Sequence, residues 1–262
     1  MRDASTMTRW PNRAARIALV ALVLIGVAAV VGRAVFPEDM AARLEPLRLA
    51  LLQTFGLADP LMAERADAVT RFDRRFALHP VATAVHIVSG GLFLVLVPLQ
   101  LWRQFRTRRR AAHRIVGRIA LGAGCAMVLT ALYFGLLMPF AGTAEAITMS
   151  LVSAWYAFAT ARAVLAIRNG DAARHREWML RAIAVPLGVS VIRIAGLVLE
   201  LALVERGLGP ELTFQLAIWI GWLSSIGAIE IWIRTTRRRG GSVSPVRPLA
   251  QHVPFPSPSP SP

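Results

Sequence analysis

The chain contains no lysine. All 30 of its basic residues are arginine, set against 15 acids and five histidines, for a formal charge of +15. A bias this complete is compositional, so no single arginine is distinguished merely by being arginine. Cysteine is almost missing as well. Cys125 stands alone in an apolar run, which excludes an intrachain disulfide framework and a CxxC metal site. Two histidines at helix entrances are too few for a closed zinc site, which takes four ligands. No glycine-rich phosphate loop, no paired inner carboxylates and no Ser-His-Asp order stands out. Charged residues make up only 17% of the chain. A nucleic-acid binder could carry +15, but not together with several apolar runs of about 20 residues.

What is present is apolar sequence, at 55% of residues and a mean hydropathy of +0.52. That lies outside the usual soluble range. The first apolar run is 17–36, interrupted only by Arg33. It follows a polar, arginine-bearing segment, 1–16, and resembles a signal peptide in that respect. Its length exceeds the usual apolar stretch of about 7–15 residues, so it is read as an uncleaved first transmembrane helix. Four further runs (about 81–102, 116–139, 146–167 and 180–203) form a four-helix core over 81–203, and a sixth helix spans 212–234. Each is long enough to cross about 30 Å of hydrocarbon at 1.5 Å per residue. The fold class is therefore all-α, a polytopic transmembrane helix bundle of six spans.

The connections alternate in charge. Residues 103–118 hold seven arginines and no acid, whereas 140–145 hold no arginine. With Arg237, Arg238 and Arg239 after the last span, the positive-inside rule places both termini in the cytoplasm. Trp102, Trp178 and Trp232 fall at the same boundary, as an interfacial aromatic belt does. Anionic lipids are the expected partners of the basic face, with no nucleic acid. Segment 37–80 mixes seven acids with six arginines and carries apolar residues near helical spacing. It reads as two short amphipathic helices on the extracytoplasmic surface. Asp59-Pro60 marks the break between them, Asp as N-cap and Pro at the first helical position. The 235–262 tail, basic and then Pro/Ser-rich, is expected to be disordered.

Polar groups within spans are costly, so they are the natural functional candidates. His86, Tyr133, Arg193 and Glu200 all fall in the outer half. They either line one polar cavity or act as glue, Arg193 pairing with Glu200 and His86 bonding a neighbouring carbonyl. A second set lies at the inner boundary. His113-Arg114-x-x-Gly117-Arg118 and His175-Arg176-x-Trp178-Met179-x-Arg181 each stand where a polar loop turns into an apolar helix. Two imidazoles at one depth can ligate a haem iron from both sides. Arg114, Arg118, Arg176 and Arg181 would then suit haem propionates. The alternative is that these residues cap helices and meet lipid phosphates.

With Arg71-Phe72, His86-Ile87, Pro98-Leu99-Gln100 and Arg193, these two motifs are similar to those of a bacterial family of multi-pass membrane proteins, domain of unknown function 2306. The likeness covers about 70–200 and implies the four-helix core without implying an activity. The core also resembles, more weakly, the cytochrome b561 type, which holds two haems through histidines on all four helices. Here the fourth span has no histidine, so that resemblance implies at most one haem b, held by His113 and His175. Three functions remain open: single-haem electron transfer, a small-molecule or lipid carrier using the outer cavity, and a non-catalytic scaffold.

Overall fold

A computed structural model describes residues 13–241. Most of the N-terminal segment and of the expected 235–262 tail lies outside the described residues, but 235–241, expected to be disordered, continue the last helix. All regular structure among the described residues is helical. The helices are α1 (Arg13–Val35), α2 (Met40–Thr54), α3 (Met62–Ala77), α4 (Pro80–Leu101), α5 (Arg103–Arg108), α6 (Arg110–Leu137), α7 (Gly142–Arg168), α8 (Ala172–Leu203) and α9 (Pro210–Gly241). Six of them, α1, α4, α6, α7, α8 and α9, are long and apolar enough to cross a membrane. The protein is a polytopic all-α bundle, as the hydropathy pattern indicates.

Two helices begin earlier than hydropathy alone suggests. α6 takes in Arg110 through Ile115, and α8 starts at Ala172, where the Asp171 carboxylate accepts the Arg174 N–H at 2.9 Å. That N-cap satisfies one of the amides a helix start leaves free. Gly170 precedes it at φ 77°, a conformation that costs residues with a Cβ. His113 and His175 therefore sit within the first turn of their helices. Pro80 and Pro210 open α4 and α9, where the missing N–H costs nothing. The arginine-rich connection also contains a helix that the sequence pattern does not announce, the six-residue α5.

Around the core, α4 packs on α6, α6 on α7, α7 on α8, and α8 back on α4, which leaves α6 and α8 diagonal. α1 lies against α4 and α8. The tightest seam joins α8 to α9. There Gly221 has no room for a Cβ against the Ile192 backbone, and Gly188 lies under the Trp222 ring. Trp222 Nε1 donates to the Val185 carbonyl at 3.1 Å. Small residues at such crossings let backbones approach, the usual basis of helix association in membranes.

The α2–α3 hairpin caps one end of this bundle and docks by charge. Buried are Arg65, Asp73 and Arg75 on α3 and Leu52 on α2, whereas Leu47 and Phe55 on the α2 side stay uncovered by protein. A hairpin resting on lipid needs this division, apolar side chains outward and charges against the bundle. The other apolar set is used inside the protein: Phe72 stacks edge-on with Phe140 and Phe214, and Phe76 lies tilted against Phe134.

Candidate functional site

Beneath the hairpin lies a cavity of about 660 Å³. Six long helices and both hairpin helices supply its walls. Most of the lining is apolar, from Val30 and Leu94 on one side to Phe214 and Ala217 on the other. The volume is in the range of small-molecule pockets, about 300–1,000 Å³.

Its roof is held by ion pairs. Asp59, whose side chain is fully buried, accepts from Arg48 at 2.9 Å and lies 3.1 Å from Arg65. Both arginines also reach Glu200 near the end of α8, at 2.9 and 3.1 Å. Burial alone would raise the Asp59 pKa. The Leu61 N–H and the Arg48 and Arg65 guanidiniums outweigh it, and hold the carboxyl below its usual range. Burial likewise opposes the Arg48 charge, but hydrogen bonds to Glu45 and Asp59 reverse that and raise its pKa. Arg33 of α1 meets Asp73 at 2.7 Å, and Arg75 meets the fully buried Glu145 of α7 at 3.0 Å. Burial lowers the Arg75 pKa although Glu145 opposes the shift. Arginine remains charged through shifts of this kind.

Of the four outer-half candidates, the structure places His86, Arg193 and Glu200 along this cavity; Tyr133 is absent from its lining. Tyr133 instead shares a 2.9 Å hydrogen bond with His79, which sequence reasoning passed over. His86 Nδ1 lies 3.2 Å from the Met127 carbonyl and 3.0 Å from the Thr130 hydroxyl. Arg193 and Glu200 are not paired with each other. Glu200 is taken by the hairpin arginines, and Arg193 donates to the Val189 carbonyl of its own helix at 3.2 Å.

The inner-boundary residues gather at the opposite end of the bundle. His113 and His175 stand in the first turns of the diagonal helices α6 and α8. His175 Nδ1 donates to the Ala163 carbonyl at 2.9 Å, which leaves Nε2 as the nitrogen with a free lone pair. His113 Nδ1 is buried with no hydrogen-bond partner, beside the Phe105 ring. Gln100 Nε2 donates to the His113 carbonyl at 3.3 Å while its amide oxygen passes over Gly117. The glycine of the first motif thus makes room for the glutamine of Pro98-Leu99-Gln100.

The four arginines divide. Arg114, Arg118 and Arg176 are exposed, Arg176 lying over the Trp232 ring. Arg181 is committed to Glu230 at 2.9 Å and stacks on Trp178, with Arg162 on the same ring. Among the described residues no group of three or more His, Cys, Asp or Glu comes together to hold a metal ion.

Sequence reasoning missed the charged residues that close the roof: Arg33, Arg48, Arg65, Asp73, Arg75 and Glu145. Arg33, the only charge in the first apolar run, was the one signal pointing to them. No curated protein and no solved structure matches the chain. A family model described as a predicted membrane protein, DUF2306, matches residues 83–233, from the first turn of α4 well into α9 and more than half of the chain. The chain belongs to that family of integral membrane proteins.

Proposed function

We propose that the protein is a carrier that binds one small apolar or amphiphilic molecule, such as a lipid, in the cavity beneath the α2–α3 hairpin. The observation that carries this reading is the cavity itself, with apolar walls and a roof closed by ion pairs. Helix bundles normally fill their interiors to crystal-like density, so a half-open apolar hollow of this size argues for an occupant. Gly196 lines it, and a Cβ there would make only ordinary contact with Ala217. A larger side chain at 196 projects toward Ala217 of α9, where both residues line the cavity. Native mass spectrometry of the purified protein should find one small amphiphile per chain, and Gly196→Phe should reduce its occupancy at least tenfold. A wild-type protein that takes up no amphiphile from an added series would overturn the reading.

The same proposal places the protein in a bacterial cell membrane with both termini cytoplasmic and the hairpin outside. The arginine distribution supports that orientation, and anionic lipids are the partners expected at the basic face, not nucleic acid. Reporter fusions at residues 58 and 110 should report opposite compartments, the first outside and the second inside. Matching compartments would refute the orientation.

A second reading is favoured by one contact, the His175–Ala163 bond. Histidines that bind metal commonly donate their other ring N–H to a backbone carbonyl, which is what His175 does; His113 lacks this support. If the two ligate a haem b, protein from haem-replete cells should show a Soret band that is lost in both His113→Ala and His175→Ala. A colourless, folded protein would leave both imidazoles as helix-packing groups.

A further inference from the structure

Charge in the cavity wall is matched within the protein, with one exception. Arg33 has Asp73, Glu45 has Arg48, and Arg48 and Arg65 share Asp59 and Glu200. Several uncharged polar groups of the wall are matched too. Ser190 donates to the Leu22 carbonyl at 2.7 Å and Thr83 to the Phe76 carbonyl at 2.8 Å, while His86 is bonded to α6.

Arg193 is the exception. It lies seven residues before Glu200 on α8, roughly 10 Å deeper along the helix. Among the described residues it forms no ion pair, and its one hydrogen bond goes to a carbonyl of its own helix. Val189, Arg193 and Leu197 form an exposed stripe on α8 that lines the cavity. The guanidinium has five N–H donors, most of them unused here. An unpaired arginine at membrane depth is costly, and a planar fork of donors matches the oxygens of a carboxylate or phosphate.

We infer that the cavity takes a single-chain amphiphile headed by an oxyanion, carboxylate or phosphate, with Arg193 as the receptor for that head and the apolar walls around its chain. This inference rests on the carrier reading above. The alkyl chain follows from the apolar lining, and a single chain from a volume suited to one small molecule rather than a two-chain phospholipid.

Four probes of equal chain length test it: laurate, dodecyl phosphate, dodecanol and dodecylammonium. Each is titrated into the full chain in nanodiscs of zwitterionic lipid, with occupancy read by native mass spectrometry. In the wild type, one or both anions should bind at least tenfold more tightly than the alcohol, and the ammonium most weakly. Which anion wins distinguishes a fatty-acid-like from a phosphate-headed ligand. Arg193→Gln should lower anion affinity to that of the alcohol and leave the alcohol unchanged. Arg162→Gln, at the far end of the bundle, should preserve the preference. Equal binding of anion and alcohol by the wild type, or a preference that survives in folded Arg193→Gln, would overturn the inference while sparing the carrier. Binding of none of the four would remove the carrier itself. The wild-type series decides the matter even where Arg193→Gln does not fold.

Discussion

Asp73→Ala should release the hairpin from the bundle and cost about 3–5 kcal/mol, the usual consequence of removing one partner of a buried ion pair. Asp73 is only 2% exposed and serves three groups at once. Its Oδ1 lies 2.7 Å from Arg33 of α1, and its Oδ2 accepts the backbone N–H groups of Ala41 and Ala42 at 2.8 and 3.1 Å. Those amides open α2, where the helix leaves donors free and favours a negative charge. Alanine at 73 therefore strands a buried guanidinium and uncaps a helix in one step. The fitting control is Asp67→Ala, whose carboxylate is 69% exposed and pairs with Arg71 one turn away. Such a surface pair contributes at most about 1 kcal/mol. Unfolding of the purified protein by heat or denaturant separates the two, and equal losses would show that Asp73 does not hold the hairpin. Arg33→Leu combined with Asp73→Leu should recover part of the loss, because an apolar pair no longer buries an unmatched charge.

The spans were legible in the sequence because hydrophobicity over some 20 residues is a strong local signal that the bilayer reads directly. Helix starts were less so. α6 and α8 extend into their polar flanks because hydrogen bonding and the Asp171 cap continue beyond the point where hydropathy ends. The docking of the hairpin was not legible. Apolar spacing marked α2 and α3 as amphipathic but not which charges would hold them: α2 buries Leu52, and beside it Glu45 and Arg48 are half-buried in ion pairs. Pairing is the reason. Arg75 meets Glu145 across 70 residues of chain and Arg48 meets Glu200 across 152. With 30 identical basic residues, sequence spacing cannot rank such partners. A local rule can rank only near neighbours, and it suggested Arg193 with Glu200 because they share a helix face at i+7. The cavity had no sequence signal of its own, since a void is a property of how elements fail to meet. Three of the four polar residues picked for their depth do line it. They were found because intramembrane polar groups are rare, whichever partner they take.

Glu200 is where the local rule and the three-dimensional arrangement make opposite quantitative predictions. If Glu200 served Arg193, as the i+7 spacing suggests, the two residues would be energetically coupled. In the structure Glu200 bonds Arg65 at 3.1 Å and Arg48 at 2.9 Å, joining α8 to both hairpin helices. A double-mutant cycle between Glu200→Gln and Arg65→Met should therefore give an interaction of about 1–3 kcal/mol, the range for residues sharing a salt-bridge network. The cycle between Glu200→Gln and Arg193→Met should be additive within about 0.5 kcal/mol, as for residues without common partners. Arg65 is 5% exposed, so Glu200→Gln alone leaves a buried cation with Asp59 as its remaining acid. Amide hydrogen exchange over 40–77 should then quicken well before the core of α8 loosens, because the hairpin loses its attachment to that helix while the α8–α9 seam is untouched. Strong 193–200 coupling with none at 65–200 would mean that the hairpin is not clasped by Glu200, and the roof of the cavity would need another anchor.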